Sequence, residues 1–182
     1  QHQVALLQAA NRDTCFLFRL NLIGITPAIK RFLEDKTVKK VGLSWHDDLR
    51  GLRNRLEFTP GWFIELQDIV PEIGIKDLSL QKLYANLFHQ KISKRQRLSN
   101  WESPILDAKQ KEYASIDAWA CIKIYDEIEK LKQTGNYELV DIPDEEMPDR
   151  IHLSEPVNTL EEPQKCKLQR GRKRALNKKD TK

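Results

Sequence analysis

The longest regular pattern in the sequence lies within residues 107–133, where one set of side chains recurs at alternating steps of three and four residues. This spacing places the set on one face of an α-helix. Asp107 and Gln110 match a capping box at its start, and Gly135 matches a helix C-terminus. The face consists of Leu106, Gln110, Tyr113, Asp117, Cys121, Ile124, Ile128 and Leu131. We therefore predict one long helix that packs this face against the rest of the fold.

An acidic residue, Asp117, lies in the middle of this mostly apolar face. Burying a carboxylate without a partner costs several kcal/mol, so Asp117 is expected to have a cation, hydrogen-bond donors or a metal ion beside it. Tyr113 lies four residues earlier and therefore on the same face. A simpler interpretation is that Asp117 borders solvent and Tyr113 packs in the core, and spacing alone does not decide between the two.

A second acidic site is Asp47-Asp48, at the start of a predicted helix that follows a short strand at residues 39–44. Two acids in a first helical turn are also favoured by capping and by the helix dipole, with no function required. Their position nevertheless suggests a site, because α/β folds bind ligands where a strand ends and a helix begins. Asp48 lies one turn before the inward-facing Leu52.

The remaining elements complete an α/β pattern of strands and helices. We predict strands at residues 4–8, 14–18 and 63–66, and helices at 26–35, 47–56 and 79–88. Beyond Tyr137 the chain is rich in proline and carries an acidic block followed by a basic block, a composition that is typical of disorder. We therefore divide the chain into a domain at residues 1–137 and a disordered tail at residues 138–182.

Composition excludes several classes of protein. No stretch approaches the length of apolar sequence that spans a bilayer, and residues 1–8 show no secretory signal pattern. The 3 cysteines lack the spacing of a disulfide framework or a structural zinc site. We expect a protein of the cytoplasm, nucleus or nucleoid, with no membrane and no obligate protein partner. The net charge of +4 is compatible with nucleic-acid binding.

Taken together, the motifs resemble those of the ribonuclease D-like DEDDy 3′-5′ exonuclease family. Residues 41–52, Val-Gly-Leu-Ser-Trp-His-Asp-Asp-Leu-Arg-Gly-Leu, resemble its second motif, in which a functional Asp follows a strand Gly by six residues. This spacing selects Asp48 over Asp47. Residues 99–101, Ser-Asn-Trp, and the pattern from Tyr113 to Asp117 resemble the third motif. Residues 4–8 resemble the strand after the first motif.

The resemblance implies a ribonuclease H-like exonuclease fold, an α/β architecture in which helices flank a mixed sheet. It also implies a two-metal-ion exonuclease that hydrolyses DNA or RNA 3′ ends to nucleoside 5′-monophosphates, with two divalent cations, Mg²⁺ or Mn²⁺. Asp48 and Asp117 are then metal ligands. Tyr113 is expected to hold or help deprotonate the attacking water.

The chain departs from the family at the first motif. That motif, Asp-x-Glu, supplies two further metal ligands from a central strand before Val4, and residues 1–3 do not contain it. We therefore expect the first, central strand to be absent from this chain and the chain as given to be inactive. The alternative is a non-catalytic nucleic-acid-binding module that kept the exonuclease fold. A weaker alternative is a protein-interaction domain that uses the charged tail.

A basic cluster precedes the Ser-Asn-Trp segment and consists of Lys91, Lys94, Arg95 and Arg97. In a nucleic-acid enzyme these side chains would contact phosphates, which sets affinity rather than sequence preference. A solvated surface loop explains the same residues equally well.

Overall fold

A computed structural model describes residues 3–140 and 166–169. Its elements surround one long helix. In chain order they are β1 (Leu7–Ala10), β2 (Cys15–Phe18), α1 (Leu20–Ile23), α2 (Pro27–Glu34), β3 (Lys40–Gly42), α3 (Trp45–Arg53), β4 (Phe63–Glu65), α4 (Leu66–Ile69), a 3-10 turn (Val70–Ile73), α5 (Leu80–Phe88), α6 (Ala108–Thr134), β5 (Tyr137–Val140) and β6 (Cys166–Gln169). No helix among these is long and apolar enough to cross a membrane.

The predicted long helix is confirmed as α6. Asp107 accepts a hydrogen bond from the backbone N–H of Gln110, whose side chain accepts one from the N–H of Asp107, so the capping box is complete. Gly135 ends the helix with φ 60°, in the left-handed region that favours glycine. Every predicted residue of the inner face is buried except Asp117, which is half-buried.

The strands form separate pairs. β1 and β2 are antiparallel around a turn at Asn11, whose side-chain oxygen accepts hydrogen bonds from two backbone N–H groups. β3 and β4 are parallel, and α6 packs against β1, β2 and β3. Neither β1 nor β3 pairs with a second strand within the described residues. This is the arrangement expected of a mixed sheet without its central strand.

The first strand begins later than predicted. β1 starts at Leu7 rather than Val4. The carbonyl oxygens of Val4 and Ala5 accept hydrogen bonds from the Arg55 side chain and from the N–H of Asn21, respectively. Those backbone groups are therefore bonded outside the β1–β2 ladder.

A strand pair lies beyond the boundary predicted at residue 137, within the part of the tail that the structure describes. β5 and β6 pair in parallel, with Leu139 opposite Leu168. Leu168 is 0% exposed within the core formed by α5 and α6, and Leu139 packs against that core. Each of these strands has only 4 residues, and the sequence around them is rich in proline and charge. Composition alone therefore does not predict them. Residues 141–165 and 170–182 lie outside the described residues.

We expect Leu168→Ala to lower the free energy of unfolding by about 2–5 kcal/mol, because it leaves a cavity in the core. Urea denaturation of the protein at its natural length would measure this change. Leu98→Ala is the control, since Leu98 is 87% exposed. Equal stability of the two variants would show that β6 does not pack in the core.

Candidate active site

Asp48 is positioned by the junction between β3 and α3. Gly42 ends β3, and a Cβ atom at this residue would lie 2.5 Å from the indole ring of Trp45. The Trp45 ring also contacts Phe63 edge-on, and its Nε1 donates a hydrogen bond of 3.1 Å to the carbonyl oxygen of Ile64. Glycine is therefore required for the indole to lie across β3 and β4. This packing places Asp48 in the first turn of α3, beyond the ends of both strands.

Glu65, which the sequence patterns did not single out, lies at the end of β4 beside this turn. Its Oε1 accepts a hydrogen bond of 3.0 Å from the N–H of Ser44, and its Oε2 accepts one of 2.7 Å from the N–H of Trp45. Ser44 has φ 68°, so the backbone enters α3 through the left-handed region. The partners of Glu65 are backbone N–H groups, so no pattern of side chains in the sequence pointed to it.

Asp117 and Tyr113 lie on α6 and face the same cleft. Asp117 Oδ1 is buried and has no hydrogen-bond partner within the described residues. Burial raises the pKa of Asp117, while a hydrogen bond from Tyr113 acts in the opposite direction. Burial is also the main cause that raises the pKa of Tyr113 to about 12, assisted by the charge of Asp117 and the hydrogen bond to it. The Tyr113 ring contacts Trp101, with centroids 6.1 Å apart.

Cys121 is close enough to Asp48 and to Asp117 for the charges of both to act on its thiol. Burial raises the pKa of the Cys121 thiol to about 12, and the charges of Asp117, Glu65 and Asp48 act in the same direction. Asp48 is an exposed residue in the first turn of α3, and desolvation by the surrounding atoms, followed by the charges of Asp47 and Glu65, raises its pKa. Nearby charges of like sign disfavour ionisation, and a bound cation would offset this effect.

These residues fit part of a divalent metal site. The buried Asp117 Oδ1 without a partner is a hard oxygen ligand of the kind that Mg²⁺ and Mn²⁺ prefer. The described residues contain no group of three or more His, Cys, Asp or Glu side chains placed to hold a metal ion. Within residues 3–140 and 166–169, the predicted ligands Asp48 and Asp117 therefore belong to no such group.

A cleft of about 530 Å³ opens beside Tyr113 and Asp117. It is lined by β1, the start of α6 and the segment that connects α5 to α6. Its lining residues are Gln3, Ala5, Leu6, Gln8, Arg97, Ser99, Asn100, Trp101, Glu102, Tyr113, Ala114 and Asp117. Of the four predicted basic contacts, Arg97 lines this cleft, whereas Lys91, Lys94 and Arg95 do not. Asp48 also lies outside its lining.

A family model described as 3′-5′ exonuclease matches residues 1–133. The chain belongs to the 3′-5′ exonuclease family. This match confirms the family that the second and third motifs indicated. It spans the cleft, α3 and almost all of α6, so the site described above lies wholly within the exonuclease domain.

Two curated relatives are larger proteins. The bifunctional 3′-5′ exonuclease/ATP-dependent helicase WRN of Mus musculus is 27% identical over 166 residues, which are 88% of this exonuclease chain and 12% of the relative. The exonuclease 3′-5′ domain-containing protein 2 of Drosophila melanogaster is 33% identical over 129 residues, 69% of this chain and 22% of the relative. The chain spans less than a quarter of either relative.

A solved structure extends the likeness to the fold. Brucella melitensis NrnC with bound Mg²⁺ superposes with a TM-score of 0.61 at 20% identity, covering 73% of this exonuclease chain and 67% of that chain. The predicted fold class is thereby confirmed: helices and short strands are arranged as in ribonuclease H-like exonuclease domains.

We expect Asp117→Asn to raise the melting temperature of the metal-free protein by roughly 2–4 °C, or about 1 kcal/mol. The raised pKa means that the folded state holds the proton better than the unfolded chain. Stability of the metal-free protein therefore falls as pH rises from the ordinary value of 3.8 through the raised pKa. Removing the charge removes this penalty. Thermal melts in EDTA at neutral pH would measure the change.

Asp126→Asn on the same helix is the control, because Asp126 forms an ion pair with Arg12 at 3.0 Å and should not gain stability. A lower melting temperature for Asp117→Asn than for the wild type would show that the Asp117 carboxylate is already stabilised by its surroundings.

Proposed function

We propose that this protein is a two-metal-ion 3′-5′ exonuclease that hydrolyses DNA or RNA ends to nucleoside 5′-monophosphates. The observation that carries the proposal is the buried Asp117 Oδ1 without a hydrogen-bond partner. It lies next to Tyr113 in an open cleft, on a chain of the exonuclease family. Retaining a carboxylate at such a cost is understandable if it binds a cation.

Asp48 and Asp117 would hold divalent cations, Mg²⁺ or Mn²⁺. The Mg²⁺ bound to NrnC supports this choice of metal. When bound, such ions supply an activated water and neutralise charge on the attacking and leaving oxygens. Further carboxylate ligands would have to come from residues outside those described. A strand that carries them would fit between β1 and β3, since α6 packs against both and neither has a second partner among the described strands.

Tyr113 would orient the attacking water through its hydroxyl group. In the metal-free structure burial raises the pKa of Tyr113 to about 12, so Oη carries a proton at neutral pH and can form a hydrogen bond. A hydrogen bond from Tyr113 acts to lower the pKa of Asp117, and the ring of Tyr113 contacts Trp101. The proposal keeps both roles that the family resemblance implied, namely holding the attacking water and helping to deprotonate it.

Arg97 would bind a phosphate of the nucleic acid as it enters the cleft. Arg97 and Tyr113 line the same cleft, and the charge of Arg97 acts to lower the pKa of Tyr113. Contacts to phosphate carry no sequence information, so the proposed enzyme acts on 3′ ends without base preference. Lys91, Lys94 and Arg95 would contact more distant phosphates. A cytoplasmic or nuclear location and the lack of an obligate protein partner stay predictions from the sequence.

A non-catalytic nucleic-acid-binding module is the second candidate. It is favoured by one observation, namely that the described residues hold no complete set of three metal ligands. Such a module would bind oligonucleotides with the same dependence on salt and would show no metal-dependent hydrolysis.

In the protein at its natural length, we expect Tyr113→Phe to lower kcat for oligonucleotide hydrolysis by about 10²-fold. Asp48→Ala and Asp117→Ala should reduce it to background, because each removes a metal ligand. The stepwise shortening of a 5′-labelled strand in Mn²⁺ would measure these rates. Tyr125→Phe, also on α6, is the control for loss of a tyrosine hydroxyl. Full activity of Asp117→Ala would exclude Asp117 from the site.

We expect Arg97→Ala to weaken the binding of oligonucleotides of every sequence. The negative slope of log affinity against log salt concentration should become less steep by about 0.7 for a single strand. The reason is that one phosphate contact is lost. Fluorescence anisotropy in EDTA over a range of salt concentrations would measure both effects. Lys130→Ala is the control, because Lys130 forms an ion pair with Glu127 on α6 at 3.1 Å and does not line the cleft. A slope that is unchanged by Arg97→Ala but made less steep by Lys94→Ala would move the binding surface away from the cleft.

A further inference from the structure

The helix that carries Asp48 has no N-terminal cap of its own. Ser44, the residue before α3, is in the left-handed region, and its side chain makes no capping hydrogen bond. The first N–H groups of a helix have no partner within the helix, so they need an acceptor from elsewhere. Without one, the first turn of α3 would fray, and Asp48 lies in that turn.

Glu65 provides the acceptor from a different strand. Its two carboxylate oxygens bind the N–H groups of Ser44 at 3.0 Å and Trp45 at 2.7 Å, and Oε1 also accepts from the N–H of Gln67 at 3.1 Å. A carboxylate makes charge-assisted bonds to such donors and complements the positive end of the helix dipole. One side chain therefore ties the end of β4 to the starts of α3 and α4.

The occupied oxygens separate Glu65 from the metal ligands. Both of its oxygens accept from backbone donors, whereas Asp117 Oδ1 has no partner among the described residues. Glu65 is also close enough for its charge to raise the pKa of Asp48. Its negative charge thus reaches the site, although its lone pairs are directed at α3 rather than at a cation.

We infer that Glu65 is a positioning residue, which sets the place of Asp48 by capping α3 from the end of β4. The inference rests on the proposed function, because Asp48 needs an accurate position only if it binds a metal ion. Displacement of a ligand by about 0.5 Å is enough to impair a metal site, and loss of an outer partner typically lowers metal affinity 10–100-fold. Trp45 Nε1 and its bond to Ile64 hold the far side of the same junction.

The test is Glu65→Gln in the protein at its natural length. The amide keeps the length of the side chain but replaces one acceptor oxygen with an NH₂ group, which cannot accept from a backbone N–H. We expect Mn²⁺ affinity to fall about tenfold, with oligonucleotide affinity in EDTA unchanged. The electron paramagnetic resonance signal of free Mn²⁺ measures the first quantity, and fluorescence anisotropy measures the second. At saturating Mn²⁺, hydrolysis should recover most of its rate.

Glu34→Gln is the matched control. Glu34 is half-buried and likewise accepts a hydrogen bond of 3.1 Å from a backbone N–H, that of Thr59, but it lies on α2. Both variants should lose some thermal stability, and Mn²⁺ affinity should fall only in Glu65→Gln. If both variants lose stability and neither loses Mn²⁺ affinity, Glu65 is merely structural and the inference is overturned.

Two further arms keep the outcomes apart. Wild-type protein that neither binds Mn²⁺ nor hydrolyses oligonucleotides overturns the proposed function, whereas active wild type with an unchanged Glu65→Gln overturns the inference alone. Should Glu65→Gln fail to fold, Glu65→Asp replaces it, because it keeps the charge and shortens the reach by one methylene. Its Mn²⁺ affinity is expected to be reduced, and affinity equal to wild type would overturn the inference.

Discussion

The packing of α6 against both strand pairs is the interaction on which the rest of the structure depends. β1 and β2 form one pair, β3 and β4 another, and no backbone ladder joins the two pairs within the described residues. α6 contacts β1, β2 and β3, so its inner face provides the shared apolar surface. The C-terminal half of that face, including Ile124, Ile128 and Leu131, is nearly inaccessible to solvent and also packs against α5. A helix that holds two short sheets together in this way must be rigid, which its complete capping box and its length favour.

The candidate site uses the same face at the expense of stability. Asp117 interrupts the apolar seam one turn before Cys121, and its buried oxygen gains no hydrogen bond from the described residues. Proteins commonly retain an unfavourable residue, such as a buried acid, at a functional site. The apolar residues on the rest of the inner face of α6 must offset its cost in stability. Rigid secondary structure carries each proposed ligand: Asp117 is in the middle of α6, and Asp48 is in the first turn of α3, which is held against β4. Elements of this kind hold ligands more accurately than loops do.

Much of this arrangement could be predicted from residue spacing, and the rest depends on contacts between distant segments. Period, capping box and terminal glycine predicted α6, and the distance from Gly42 selected Asp48. Glu65 escaped notice because its partners, Ser44 and Trp45, lie about 20 residues away, and a bond to backbone N–H groups leaves no pattern in side-chain identities. β5 and β6 escaped because their pairing joins residues separated by a proline-rich, charged segment. Contacts of this range depend on topology, which local periodicity does not describe.

The close approach of Trp45 to Gly42 has a consequence for sequence variation among related chains. A methyl group at residue 42 would overlap the indole, so the two positions share one fixed volume across β3 and α3. Exonuclease domains with a smaller side chain at the position of Trp45 would have room for alanine or serine at the position of Gly42. The two positions should therefore vary as a pair. Glycine at the position of Gly42 is then expected wherever the position of Trp45 carries a large side chain. The acid at the position of Asp48 is expected to stay constant whichever pair is present.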